Sequence, residues 1–105
     1  MSESRITIEK ELENIHPGEI LKKEFLEPLH ISAYRLAKET GIPQTRISAI
    51  INGKRSISAD TAIRFSLFFG TSAEFWLNLQ VLYDLEEERE VHAEEFRVIR
   101  RFATV

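Results

Sequence analysis

Apolar residues recur along this chain in blocks at helical spacing, and short stretches rich in glycine, proline and serine separate the blocks. Residues three and four apart share one face of a helix, so each block predicts a helix with one buried side. Ile20, Leu21 and Phe25 form the first set, entered through His16-Pro17-Gly18-Glu19. Proline suits a first helical turn, where its missing N–H would have no partner, and disrupts a later one. The first helix is therefore predicted from Pro17 to about Leu26, with Pro28 as its stop. Ser32 is the predicted cap of a second helix through Thr40, which Gly41 ends. Pro43 opens a third helix to about Asn52, closed by Gly53. Ser58 caps a fourth, Ala59 to Phe69, closed by Gly70, and Ser72 caps a fifth, Ala73 to about Glu88. A serine oxygen satisfies one of the unpaired N–H groups at a helix start, and glycine enters the left-handed backbone that ends a helix.

The two ends read less sharply. In residues 1–15, Ile6 and Ile8 alternate as in a strand, while Ile8, Leu12 and Ile15 fit a helix. In the tail, Phe96 and Val98 alternate, while Val91, Val98 and Phe102 fit a helical face. The pattern predicts an all-α fold: an arm over 1–15, a helical domain over 16–88, and a second arm over 89–105 with a dimerisation strand as one option.

The segment from Ala33 to Asn52 carries the most specific signal. Two short helices that cross steeply at a tight turn need a small residue at the crossing, a residue tolerant of positive φ at the turn, and apolar anchors around both. Ala37, Gly41 and the set Leu36, Ile42, Ile47 and Ile50 meet these needs at consistent spacings. At about 100° per residue, Ile47, Ile50 and Ile51 of the third helix point inward. Thr45, Ala49 and Asn52 point outward, Arg46 and Ser48 flank them, and Gln44 sits in the first turn. That outward face is short, polar and free of acids, as entry into a major groove requires. Glutamine pairs with adenine N6/N7, arginine with guanine O6/N7, and alanine or threonine methyls meet the thymine methyl. Gln44, Thr45, Arg46, Ser48 and Ala49 are the candidate base-reading residues. Ser32, Arg35, Asn52, Lys54 and Arg55 are the candidate phosphate contacts, on the argument that phosphate contacts position a protein and base contacts specify.

Charge distribution supports this more than total charge does. The 105 residues carry a formal net charge of -3, with 43% hydrophobic and 30% charged residues, a globular composition. From Ser32 to Arg55, five bases face one acid, a local net of +4. From Ser66 to Val105, four bases face eight acids, a local net of -4. One stretch suits phosphate, and the other repels it and suits a basic protein. The chain has no cysteine, which removes disulfides, thiolate metal sites and a cysteine nucleophile. No apolar run reaches the roughly 20 residues that span a bilayer. The opening Met1-Ser2-Glu3-Ser4-Arg5 has no apolar signal region, so a cytoplasmic protein without a membrane partner is expected.

Leu36-Ala37, Gly41-Ile42, Gln44 and Asn52-Gly53-Lys54-Arg55 together resemble the Xre/phage-repressor helix-turn-helix family. His16-Pro17-Gly18-Glu19-Ile20-Leu21, Gly70-Thr71-Ser72-Ala73-Glu74-Phe75-Trp76-Leu77-Asn78-Leu79-Gln80 and Tyr83-Asp84-Leu85 further resemble the HigA-type, or VapI-like, antitoxins. Ala73 departs from that pattern, in which proline is common. The resemblance covers roughly residues 16–85. It implies a five-helix, lambda-repressor-like DNA-binding domain that acts as a homodimer on double-stranded operator DNA. It also implies a small basic RelE/HigB-like, mRNA-cleaving toxin as partner, with the pair repressing its own operon. A stand-alone repressor without a toxin, and a protein-binding module that has lost DNA binding, are the competing readings.

Dimerisation has independent support, because the fourth and fifth helices carry more apolar side chains than one stripe each. Phe68, Phe69, Trp76 and Leu79 are the candidate interface residues. A toxin would meet either the 1–15 arm, by adding a strand, or the acidic side of the fifth helix. His16, His30 and His92 are scattered and show no metal-ligand spacing, and no nucleophile setting or phosphate loop appears. No cofactor, metal or catalytic residue is expected.

Overall fold

The structure, a computed structural model, describes residues 14–103. Those residues form helices and short connections, without a strand. Helix α1 starts at Pro17–Ile20, widens into a π-helical stretch at Leu21–Leu26 and ends as Glu27–Leu29. It is followed by α2 (Ala33–Thr40), α3 (Gln44–Ile51), α4 (Ala59–Phe69), α5 (Ala73–Val91) and α6 (Ala93–Arg97).

Local chemistry sets most of these limits. The hydroxyl oxygens of Ser32, Ser58 and Ser72 accept from the N–H groups of Arg35, Thr61 and Phe75 at 3.0, 3.3 and 3.0 Å. Gly41 ends α2 at φ +74°, a conformation that side chains with a Cβ resist. Pro28 is not the stop the sequence predicts for α1. The Glu27 N–H bonds the carbonyl of Lys22, five residues back. In that wider register the missing proline N–H and its crowding ring cost less. The chain leaves the helix at His30, which is left-handed at φ +56°.

The core gathers Leu21 and Leu26 from α1, Leu36 and Ala37 from α2, Ile47 and Ile50 from α3, and Ala62 and Phe65 from α4. Ile42, Ile57 and Trp76 complete it. Trp76 sits among Phe25, Phe65, Phe69 and Phe75, with ring centroids 4.9 to 5.9 Å apart. Edge-on and tilted aromatic pairs at such distances add stability beyond burial.

α5 extends three residues past Glu88, and none of its side chains after Gln80 is buried. In the 89–105 arm, where a dimerisation strand is one option, the described residues of this chain form no strand. Ala93–Arg97 is helical, supported by an Arg97–Glu94 ion pair and a His92–Glu95 contact, and residues 98–103 hold no regular element. A strand with no neighbour cannot pair its backbone groups, whereas a helix satisfies them locally. The Ile6 and Ile8 reading of the first arm lies outside the described residues. Among those described, no helix is long and apolar enough to cross a membrane.

Candidate nucleic-acid interface

The sequence places Thr45 on the outward face of the third helix, with Gln44 in its first turn and Arg46 flanking, and α3 leaves Gln44 and Thr45 open while Arg46 is half-buried. Ile47 and Ile50 are fully buried, which fixes the rotation of the helix. Gln44 and Thr45 are then exposed, and Arg46, Ser48 and Ala49 are half-buried at the edge of the same face. Pro43 provides no side-chain cap, and its carbonyl accepts from Arg46 and Ile47, so the N–H groups of Gln44 and Thr45 lie at the partial positive end of the helix. Arg46 lies against the protein with its Nε enclosed and without a hydrogen-bond partner.

The anchoring candidates flank this face. Asn52, Lys54 and Arg55 are all exposed on the turn that leaves α3, and the Lys54 N–H donates to the Ala49 carbonyl at 2.8 Å. Ser32 and Arg35 are exposed at the start of α2. The Ser32 oxygen already accepts the cap bond from Arg35 N–H, which leaves its own O–H free to donate. Ser32, Ala33 and Ile51 border one shallow cavity, so the start of α2 and the end of α3 lie side by side. Glu27 borders it too, an acid that opposes phosphate there.

Four residues that position this site are not among the candidate site residues of the sequence reading. Gly18 lets α1 touch α3 backbone to backbone: a Cβ there would lie 1.7 Å from the Ile50 carbonyl oxygen. The signal was a glycine inside a first helical turn, where it costs helix stability. The Nη1 of Arg64 donates to the Thr40 carbonyl at 2.8 Å and ties α4 to the helix-turn-helix turn. Buried Gln80 bonds the loop before α4. His16 caps α1 through its ring, with Nδ1 accepting from the Gly18 N–H at 2.9 Å, and the ring forms an edge-to-face pair with Tyr83. Burial lowers the His16 pKa below 6.5, partly offset by the Asp84 charge. Burial raises the Tyr83 phenol, helped by Glu87 and Asp84.

The apolar face of α4 and α5 is distributed differently from the prediction, and Trp76 must be withdrawn as an interface residue. It is fully buried, and its Nε1–H donates to Thr71 Oγ1 at 2.8 Å. Phe68, Phe69 and Leu79 are half-buried and pack on the core. The large apolar side chains that face outward on these helices include Ile63, Leu67, Val81 and Leu82, with Leu67 80% exposed. No group of three potential metal ligands occurs among the described residues.

With the geometry in place, comparison with known proteins is specific. The helix-turn-helix family model matches residues 22–76. Virulence-associated protein I of Dichelobacter nodosus is 47% identical over 76 residues, which span 72% of this chain and 70% of that protein. The structure of an addiction module antidote protein of a HigA family from Coxiella burnetii has a TM-score of 0.81 at 44% identity, over 87% of this chain and 100% of that one. Pseudomonas aeruginosa antitoxin HigA, solved with the higBA promoter, has a TM-score of 0.82 at 38% identity, over 86% and 99% of the two chains.

Proposed function

Because the chain belongs to the helix-turn-helix family, with HigA-type antitoxins among its relatives, we propose that it is an antitoxin that binds operator DNA as a dimer, represses its own operon and neutralises a small basic RelE-like toxin. The observation that carries this reading is the face of α3. Buried Ile47 and Ile50 hold exposed Gln44 and Thr45, with Arg46 beside them, where base edges would meet them. Recognition helices of this motif offer their N-terminal residues to bases. Ser48 and Ala49 extend the reading face, and Ser32, Arg35, Asn52, Lys54 and Arg55 hold the backbone on either side.

A dimer doubles the phosphate contacts and spaces two recognition helices by about one DNA turn. The outward apolar side chains of α4 and α5 supply material for that contact. The acid-rich outer half of α5 offers a basic toxin a complementary surface, and co-purification with the product of the neighbouring reading frame separates this from a stand-alone repressor.

The test is a gel-shift titration on duplex DNA from the region upstream of this chain's own reading frame. Replacing Gln44 and Arg46 together with alanine is expected to cost about 1–3 kcal/mol for each base pairing removed on the specific duplex and little on a scrambled one. Equal affinity of wild type and double variant on both duplexes contradicts the reading.

A further inference from the structure

Gln80 is a buried amide far along the chain from the DNA-reading helix, yet it bonds the turn that leaves that helix. Its Oε1 accepts from the Ile57 N–H at 2.8 Å, and its Nε2 donates to Asp84 Oδ1 at 2.9 Å. Gln80 is 4% exposed and its bond to Ile57 is buried, so the oxygen end of the amide has no water to fall back on. The orientation of the amide follows from the chemistry of its partners. An ionised carboxylate only accepts, so it takes the NH2 end, and a backbone N–H only donates, so it takes the oxygen. Asp84 thus aims Gln80 at Ile57.

Ile57 is the far anchor of a short turn. At the near end, the Lys54 N–H is tied to Ala49 at the end of α3. At the far end, the Ile57 side chain is 3% exposed and its N–H is held by Gln80. Between these two ties the chain is exposed at Lys54, Arg55 and Ser56. The Asp84–Gln80–Ile57 chain therefore sets the path of the backbone that carries two of the cations proposed to grip phosphate.

We infer that Gln80, aimed by Asp84, is a positioning residue for DNA binding, which holds the 54–57 turn in the shape that presents Lys54 and Arg55 to the operator backbone. This rests on the DNA-binding reading above. It also reverses a simple electrostatic expectation. Asp84 is an exposed acid, and deleting an acid ordinarily strengthens attraction to DNA. Here its deletion weakens binding.

The experiment compares wild type, Asp84→Ala and Asp84→Asn by operator titration at several salt concentrations, and by hydrogen exchange at the Ile57 amide without DNA. Asp84→Ala is expected to bind about fivefold more weakly, the fold-change one net hydrogen bond is worth. Its salt slope becomes shallower by about 0.9 for each phosphate no longer neutralised. Exchange at the Ile57 amide speeds up in the same variant. Asp84→Asn, whose amide oxygen still accepts from Gln80, binds at least as tightly as wild type and keeps slow exchange. Binding by Asp84→Ala that equals or exceeds wild type at an unchanged salt slope overturns the inference. So does an unchanged exchange rate, or an equal loss in both variants. Failure of wild type itself to prefer its upstream DNA counts instead against the DNA-binding reading, and the exchange comparison still decides the role of Gln80.

Discussion

Gly18 shows how one missing side chain can place a binding helix. Its backbone lies against the Ile50 carbonyl, where any Cβ would overlap a backbone atom that has no rotamer to retreat into. In isolation, alanine favours a helix over glycine by about 1 kcal/mol. At this position the sign reverses, since overpacking of a tight contact costs about 1–3 kcal/mol and sometimes more. Gly18→Ala is therefore expected to destabilise the fold and weaken operator binding, because α3 must shift to make room. Urea denaturation checks the first effect. A variant as stable as wild type would mean that α1 and α3 do not touch there. Gln44 works differently: its outward placement comes from the isoleucines of the same helix, and its replacement is expected to leave the core closed.

At the scale of elements, His16 joins the start of α1 to α5, and its protonation state matters. The Nδ1 that accepts from Gly18 must be unprotonated, and burial keeps the folded pKa below 6.5. As pH falls through about 6.5, the unfolded chain takes up a proton first. The unfolded state then binds more protons than the folded one, so stability declines as pH drops from that value through the folded pKa. Above about 6.5 both states are neutral at this site and the cap is at full strength. Urea midpoints between pH 5 and 8 should show this acid decline in wild type and a smaller one in His16→Asn, which keeps a capping oxygen but does not titrate. An identical pH dependence in the two proteins would remove His16 from the account.

These elements also show what the sequence could and could not disclose. The starts at Ser32, Ser58 and Ser72 and the end at Gly41 were readable, because capping depends on residues within one turn of each other. The inward side of α3 was readable because isoleucines at helical spacing leave one choice of face. The passage of α1 through Pro28 was not, since a widened turn has no distinct residue pattern. Nor was the burial of Trp76: apolar pattern marks a side chain as wanting cover, but whether the cover is the chain's own Phe25 and Phe65 or a second copy depends on packing. The Gln80–Ile57 bond joins residues 23 apart and has no local signature.

For the whole molecule, the organising feature is a separation of charge along the fold. Residues 32–55 carry a local net of +4, and the outer half of α5 carries a run of acids, most of them exposed. NMR titration of the labelled full chain with its upstream duplex tests the central claim most directly. The expected result is large amide shift changes over Gln44–Ala49 and the 52–55 turn, with residues 88–97 nearly still. Undisturbed Gln44, Thr45 and Arg46 signals in the presence of tightly bound DNA would contradict it.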